Sequence, residues 1–281
     1  KRETHAMKVQ GVFSTEQLRE QGVTMNQLAR ALENGSTRRI AKGWYIKGLA
    51  DPRVVTAIES NCRLGCLSGC EFHGIWTPKS IGLHIVHGTG SRPRIKGDYH
   101  VHWSPKPQPR TAVWPLEDCL EQVVRHHDIE TSLIVLESEI DEKMISIYTA
   151  WEILDNCRGS VKATKLHRIR KYLSTAESGS ETRVRLFLQQ LQIPVVPQVE
   201  ISGVGRVDLV IGDRLVIECD SHKHHSKPED QLRDRKRDLA LRDLGYEVIR
   251  LAYQQIWGAD WEDTKPQILN ETRRRRHILR R

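Results

Sequence analysis

The sequence predicts an α/β protein built from several domains, and three observations support this fold class. The chain has 281 residues, enough for about two or three compact domains. Two short helical patterns precede a basic hairpin pattern near the start, and the order helix, three strands, helix, strand occurs near the end. We therefore expect domains at 8–48, 51–150 and 178–260, a basic helical linker at 151–177 and a basic tail at 261–281.

The composition favours a soluble protein with an anionic partner. There are 44 Lys and Arg residues against 36 Asp and Glu, a formal net charge of +8, and excess positive charge favours nucleic acid as a partner. Solubility alone would also account for this charge. No apolar window reaches the roughly 18 residues that suggest a membrane span, and 6 cysteines are too few for a disulfide framework. We expect reduced thiols, a cytoplasmic location and no membrane contact.

The amino-terminal segment predicts two short helices followed by a hairpin. Ser14 can cap the first helix with Gln17 in the third position, which makes a capping box, and Thr24 can cap the second helix. Residues 38–46 alternate between apolar and polar around a Lys-Gly turn. This alternation predicts a basic hairpin.

Two helices followed by a basic hairpin resemble a winged helix-turn-helix, like the amino-terminal domain of the abortive-infection type IV antitoxin family. The resemblance implies that Gln27 and Arg30 of the second helix face the major groove of DNA. It also implies that the hairpin contacts phosphate. A small helical domain whose hairpin contacts protein would have the same pattern. The hairpin residues concerned are Arg38, Arg39 and Lys42.

The middle segment predicts a mixed α/β region, and its layout resembles the middle region of antitoxin-like proteins. We assign no chemistry to it on that basis. The Pro-rich stretch at 104–109 predicts a loop. Helical patterns cover 54–67, 116–126 and 129–140, and strand patterns cover 83–87 and 99–103.

Cysteines recur every fourth residue in the middle segment. Cys62, Cys66 and Cys70, with His73 three residues further on, could line one helix face as metal ligands. Paired C-x-x-C ligands are absent, so we expect buried thiols rather than structural zinc. For four histidines on the predicted strands we expect surface or core positions, which explain them more simply than a metal site. They are His84, His87, His100 and His102.

Two other segments are basic. The stretch at 160–172 precedes the last domain, and the final nine residues of the chain contain six arginines. Both compositions suit contact with a nucleic-acid backbone. A solvated helix face and a disordered tail would have the same compositions.

The carboxy-terminal segment has the pattern of a helix, three strands, a second helix and a fourth strand. Ser178 and Glu181 form a capping box at the start of the first helix, and Pro194 ends that helix. Glycines separate the first three strands. The strand patterns lie at 195–201, 206–211, 214–219 and 246–251, and the second helix lies at 228–244.

Two acidic residues occupy neighbouring predicted strands. Asp208 lies within the second strand and Glu218 near the end of the third. Carboxylates on adjacent strands can share Mg²⁺, which takes oxygen ligands, and Mn²⁺ could substitute. The main-chain carbonyl of Cys219 is a candidate third ligand. A metal held in this way lowers the pKa of a bound water and neutralises charge on a phosphate, which is the chemistry of phosphodiester hydrolysis.

The order of elements is that of a restriction-endonuclease-like αβββαβ core of the PD-(D/E)XK type, and the motifs resemble the very-short-patch-repair-like endonuclease family. The Asp-x-x-x-His spacing of that family is present, but Ser221 stands where glycine is usual, and Asp220 stands where many members of the wider superfamily have lysine. The resembling motifs are VDL at 207–209, IECD at 217–220, His224 and RDRKRD at 233–238.

The resemblance implies a bacterial, Mg-dependent endonuclease that hydrolyses duplex DNA in repair or host defence. His224 would be the general base, and Glu181 would point at the metal or orient its water. Lys223 could replace the superfamily lysine, and Arg237 and Arg250 could contact phosphate. The catalytic residues implied are Asp208, Glu218, Asp220, His224 and Glu181.

Other functions are compatible with the same sequence patterns. One is a DNA-binding, antitoxin-like transcriptional regulator with a catalytically silent nuclease fold, and another is a protein-binding antitoxin. The pair Asp208 and Glu218 favours the enzyme, because adjacent buried acids are costly without a cation. RNA is also open as a substrate, since the site recognises a phosphodiester. One active site cuts one strand, so a double-strand cut would require a homodimer or two successive events.

Overall fold

The computed structural model describes residues 11–79, 82–219 and 228–273, and for 228–234 only the backbone. The chain divides into two compact units, Lys1–Val135 with Tyr148–Leu166 and Leu136–Ile147 with His167–Arg281. Three sheets and many helices occur among the described residues, so the mixed α/β class is confirmed. No helix in these ranges combines the length and apolar character needed to cross a membrane.

The amino-terminal part of the first unit is a small sheet with two helices. The elements in chain order are β1 (Val12–Ser14), α1 (Thr15–Glu20), α2 (Met25–Glu33), β2 (Thr37–Ala41) and β3 (Trp44–Lys47). Strands β1 and β2 each pair antiparallel with β3. The predicted caps are confirmed, because the Ser14 and Thr24 hydroxyls each accept a hydrogen bond of 3.2 Å from a backbone N–H three residues on.

The rest of the first unit surrounds a second sheet. The elements that follow in the chain are α3 (Pro52–Glu59), β4 (Arg63–Leu64), α4 (Cys66–Phe72), β5 (Leu83–Thr89), β6 (Tyr99–Pro107), α5 (Leu116–His126), α6 (Ile129–Asp141), α7 (Ile147–Asn156) and α8 (Ala163–Tyr172). Residues 136–141 of α6 and 167–172 of α8 belong to the second unit. Strand β5 is central, with β4 antiparallel and β6 parallel to it. Strand β6 is longer than expected: Pro107 lies opposite Thr89 of β5, so part of the predicted loop at 104–109 is an edge strand, where proline is tolerated.

The prediction of a single helix at 54–67 is wrong. Helix α3 ends at Glu59, Asn61 has a φ of 54°, and α4 begins only at Cys66. A positive φ cannot continue a right-handed helix, so the chain turns there and forms β4. The cysteines therefore do not line one helix face. The ring nitrogen of His73 instead lies 2.9 Å from the carbonyl oxygen of Trp114.

The second unit has the predicted order of elements around a four-stranded sheet. They are α9 (Gly179–Gln190), β7 (Val195–Ile201), β8 (Gly205–Ile211), β9 (Leu215–Cys219), α10 (Pro228–Asp243), β10 (Glu247–Leu251), α11 (Tyr253–Trp257) and α12 (Trp261–Arg273). Strands β7, β8 and β9 form an antiparallel meander, and β10 pairs parallel with β9 after the crossover through α10. The order α, three β, α, β is confirmed.

The two faces of this sheet have different partners. On one face, Leu209 and Ile217 pack in a core with residues of α9, α11 and α12. On the other face, Val210 and Val216 pack against Leu241 of α10. Successive residues of a strand point to opposite faces. The positions of Asp208 and Glu218 therefore share the face that α10 covers.

The prediction of a basic tail at 261–281 is wrong for residues 261–273. Helix α12 covers Trp261–Arg273, and Trp261 and Ile268 are buried in the core of the second unit. The Trp261 ring also makes an edge contact with Phe187 of α9. Apolar residues seven apart lie on the same helix face, and their burial explains the helix. Residues 274–281 lie outside the described residues.

The second unit contains a buried carboxyl on α6 with one unsatisfied oxygen. The Glu139 side chain is 1 % exposed, and its Oε2 atom has no hydrogen-bond partner among the described residues. Burial, with the nearby charge of Glu142, raises the pKa of Glu139 from 4.5 to about 7. Because the folded-state pKa is the higher one, this group stabilises the fold below pH 4.5, and that stability is lost as the pH rises through about 7.

Replacement of Glu139 by Gln is expected to stabilise the chain at alkaline pH. The amide carries no charge, so the free energy of unfolding at pH 8 should rise by about 1–3 kcal/mol relative to wild type, whereas the two proteins should converge near pH 4.5. Denaturant titrations at both pH values measure the difference. Glu200→Gln, at an exposed strand position, is the control. A Glu139→Gln protein that is less stable than wild type at pH 8 would contradict this account.

Candidate active site

Two carboxyls meet across neighbouring strands of the second unit. Leu209 of β8 pairs with Ile217 of β9, so Asp208 and Glu218 take the next positions along the same antiparallel ladder. Glu218 is 5 % exposed and Asp208 is half-buried. Asp208 Oδ2 accepts a hydrogen bond of 2.8 Å from the backbone N–H of Cys219. The period of two along each strand thus brings both acids to one place.

Burial raises the pKa of both carboxyls. For Glu218 the negative charge of Asp208 raises the pKa further, and the two side chains share a hydrogen bond. Like charges in a poorly solvated place cannot both ionise at low cost. The pair therefore holds a proton near neutral pH unless a cation replaces it.

Two arginines flank Glu218. Arg237 of α10 lies 3.0 Å from Glu218 Oε1 and also donates to the Arg206 carbonyl. Arg250 of β10 lies opposite Glu218 in the parallel ladder, and its guanidinium donates to Asp238 of α10 at 2.6 Å. Both arginines lower the pKa of Glu218 by their charge, although burial outweighs them. The residues expected to contact phosphate therefore border the carboxyl pair.

Among the described residues, the Glu218 Oε1 atom has an ionic partner and no hydrogen-bond partner. It is buried, yet neither guanidinium approaches it with hydrogen-bond geometry. Buried carboxylate oxygens are usually satisfied by donors or by a metal. The Arg237 Nε atom is also buried, and it has no acceptor among the same described residues.

Glu181 of α9 is a third buried acid of the second unit. It is 3 % exposed, and its Oε2 atom accepts hydrogen bonds from the Gln198 side chain and, at 3.1 Å, from the Glu177 backbone. Burial, with the charge of Asp208 as the second cause, raises the pKa of Glu181 to about 7. The structure thus brings together Glu181, Asp208 and Glu218.

Gln198 belongs to this site and sequence reasoning missed it. It lies between Pro197 and Val199, which pair with residues on either side of Asp208, and its φ is 54°. A positive φ at a residue other than glycine is uncommon in a strand and marks a constrained position. Its side chain fixes the orientation of Glu181. No local pattern indicated this irregularity.

The other expected site residues do not join this cluster among the described residues. Asp220, Lys223 and His224 lie outside the described ranges. Gln27 is exposed, but its side-chain oxygen accepts from the backbone N–H of Thr24 at 2.8 Å and completes a capping box. The remaining predicted DNA contacts are exposed in the first unit. They are Arg30, Arg38, Arg39 and Lys42.

A mixed sheet with two carboxyls on adjacent strands and a third on the preceding helix is the arrangement of a nuclease-like domain. Residues 181–275 match the model of a restriction endonuclease-like family, REase_MTES_1575. This range contains all three acids, so the carboxy-terminal unit is nuclease-like.

Further comparisons add one solved structure. The catalytic domain of the homing endonuclease I-Bth0305I is 25% identical over 34% of this chain and 93% of that chain, with a TM-score of 0.29. A comparison with curated proteins found no match.

Proposed function

We propose that the carboxy-terminal unit is a metal-dependent endonuclease that hydrolyses phosphodiester bonds of DNA, with Mg²⁺ as the metal and Mn²⁺ as a substitute. The observation that carries this proposal is the pair of buried Glu218 and half-buried Asp208, which lie on adjacent strands and have raised pKa values. Such a pair is costly to bury in a metal-free fold.

The residues present fit a hard divalent cation. Two carboxylates can supply oxygen ligands, and the buried Glu218 Oε1 atom has no hydrogen-bond partner in the part of the chain that the structure describes. A cation would displace the proton that the pair holds and would offset the repulsion between the two charges. The backbone of Cys219 lies beside Asp208, because its N–H donates a hydrogen bond to Asp208 Oδ2. The carbonyl of Cys219 is therefore the candidate third ligand. When bound, the metal would supply an acidified water and neutralise charge on the phosphate.

The surrounding side chains have roles that follow from their charge. Glu181, with a pKa of about 7, can hold or release a proton at neutral pH, and Gln198 keeps its carboxyl in place. The guanidinium groups of Arg237 and Arg250 can turn from their carboxylate partners to a phosphate, which they bind in a similar geometry. Asp220 and His224 as catalytic residues, and Lys223 as a phosphate contact, remain part of the proposal.

The first unit has features that support DNA as the substrate. Helices α1 and α2 with the three-stranded sheet have the order of a winged helix-turn-helix, and its hairpin exposes Arg38, Arg39 and Lys42. Exposed basic side chains on a hairpin suit contact with phosphate, and Arg30 on α2 suits contact with a groove. We infer binding to duplex DNA, with a role in repair or host defence. A double-strand cut would need a homodimer or two successive events.

The double substitution Arg38→Ala and Arg39→Ala is expected to weaken binding to DNA to a similar extent whatever the DNA sequence. Each lost phosphate contact should reduce the slope of log K against log salt by about 1, so the pair should reduce it by about 2. Fluorescence anisotropy with duplex DNA at several salt concentrations measures this slope. Lys96→Ala, at an exposed position of the first unit that lies outside both the hairpin and the basic stretch at 160–172, is the control. An unchanged slope in the double variant would exclude the hairpin as a phosphate contact.

The proposed function is tested by a panel of supercoiled, linear, mismatched and single-stranded DNA with a matched RNA, each with Mg²⁺, with Mn²⁺ or with EDTA. Metal-dependent cutting of duplex DNA supports the endonuclease. Salt-sensitive binding without cutting on any substrate would favour the alternative function, a DNA-binding regulator with a silent nuclease fold. Cutting of RNA alone would overturn the choice of DNA.

A further inference from the structure

A cluster of cysteine and histidine side chains lies in the first unit, which contains none of the three acids of the candidate active site. Cys66 begins α4, His84 is on β5, His102 is on β6, and His127 follows α5. One sulfur and three ring nitrogens of these residues all lie within 4.8 Å of one another. The sequence pattern indicates other partners for Cys66 and surface or core positions for His84 and His102, and no pattern in the sequence indicates His127 as a ligand.

We propose that Cys66, His84, His102 and His127 bind one structural Zn²⁺ ion. A thiolate and three imidazoles are a donor set that zinc takes, and four protein ligands without an open position are typical of a structural site. The four ligands come from four separate elements. One ion would therefore cross-link β5, β6, the start of α4 and the end of α5.

Two of the distances between the ligand atoms are close to those of a tetrahedral site, and the others are at most 4.8 Å. Zinc–nitrogen bonds of about 2.0–2.1 Å and a zinc–sulfur bond of about 2.3 Å imply ligand atoms roughly 3.3–3.6 Å apart. The His84 Nδ1 and His102 Nε2 atoms are 2.9 Å apart, and His127 Nε2 is 3.2 Å from Cys66 Sγ. Small adjustments of these side chains would bring all four ligand atoms to the spacing that the ion requires.

Buried polar groups hold the backbone of two ligands in place. The N–H of Cys66 donates to Gln122 Oε1 at 2.8 Å, and the N–H of His84 donates to Ser68 Oγ at 3.0 Å. Gln122 and Ser68 are themselves 2 % and 5 % exposed. Cys66 has a φ of 52°, a strained value that persists only where the surroundings impose it.

The residue before Cys66 must also be small. A Cβ atom at Gly65 would lie 2.7 Å from Gln122 Oε1 and 2.7 Å from Val86, which no ordinary contact allows. Glycine thus lets the start of α4 approach Gln122 closely. This close approach sets the position of the Cys66 sulfur.

Two more histidines surround the cluster without joining it. The rings of His100 and His126 stack on His84 and His102, at 4.5 and 4.4 Å between centroids. A hydrogen-bonded core of histidines without an ion would also bring such rings together. The two explanations differ in metal content, which can be measured directly.

The test is the metal content of the full-length chain, purified without chelator, by elemental analysis. We expect about one zinc per chain in wild type and close to none in Cys66→Ser or His102→Gln. Cys62→Ser is the matched control, because Cys62 is equally buried and lies outside the cluster, so it should keep its zinc. Replacement by Co²⁺ should give intense visible bands of a tetrahedral ion and a thiolate-to-cobalt band, which Cys66→Ser loses.

Zinc chelation provides a second readout that does not depend on nuclease activity. It should lower the melting temperature of wild type and of Cys62→Ser, and it should leave that of His102→Gln unchanged, because structural zinc contributes to folding. Wild type without zinc and without a cobalt spectrum would overturn the proposal. Equal zinc content in wild type, Cys66→Ser and His102→Gln would overturn it as well.

Discussion

Glu218→Gln is expected to reduce metal-dependent DNA cleavage by about 10³-fold or more. The amide removes one charged ligand of the proposed metal, and a catalytic metal is worth several kcal/mol of transition-state stabilisation, which corresponds to a tenfold loss for each 1.36 kcal/mol. Initial rates of plasmid nicking at saturating Mg²⁺ measure the effect. Asp208→Asn should lose activity to a similar extent.

The control for these variants is Glu200→Gln, an exposed carboxylate on β7, which should cleave at the wild-type rate. The fold itself should survive, because Glu218→Gln removes a buried charge whose pKa is raised by burial. Its unfolding midpoint in metal-free buffer should equal or exceed that of wild type. A Glu218→Gln protein that is folded and cleaves at the wild-type rate would exclude Glu218 from the active site.

Arg185→Met is expected to lower the free energy of unfolding by about 3–5 kcal/mol, because it leaves a buried carboxylate without its cation. Arg185 and Glu137 are 0 % and 1 % exposed, and the guanidinium binds both carboxylate oxygens at 2.5 and 2.7 Å. Thr182 and the Ser174 N–H also donate to Glu137. This ion pair joins α6, α9 and the segment before α9 within the second unit.

A double-mutant cycle distinguishes the ion pair from general packing. Glu137→Leu with Arg185→Met removes both charges together, so the double variant should recover most of the stability that Arg185→Met loses. Urea denaturation of wild type, the two single variants and the double variant measures the free energy of unfolding of each protein. Independent, additive losses in the double variant would show that packing, and not the pair, carries the effect.

The order of helices and strands in the second unit can be predicted from the sequence, because the patterns that indicate these elements involve residues close together in the chain. Alternation along β8 and β9 is enough to place Asp208 and Glu218 on one face, and the turn glycines fix their order. Gln198 could not be found in this way, because its positive φ depends on how β7 pairs with β8. Helix α12 was missed because arginines dominate the sequence around its end.

The first unit shows where local spacing misleads. A cysteine at every fourth residue suggested one helix face, but the positive φ of Asn61 ends α3 before those residues are reached. The side chains that do cluster with Cys66 come from three other elements. His127 lies 61 residues from Cys66 along the chain, and only the tertiary fold brings such residues together.

The central claim is that Asp208 and Glu218 hold a divalent cation, and Mn²⁺ binding tests it most directly. Electron paramagnetic resonance counts free Mn²⁺ during a titration of the chain, which is first given one equivalent of zinc. The account predicts about one bound Mn²⁺ in wild type and in Glu200→Gln, and none at the same concentrations in the double variant Asp208→Asn and Glu218→Gln. Unchanged Mn²⁺ binding by the double variant would contradict it.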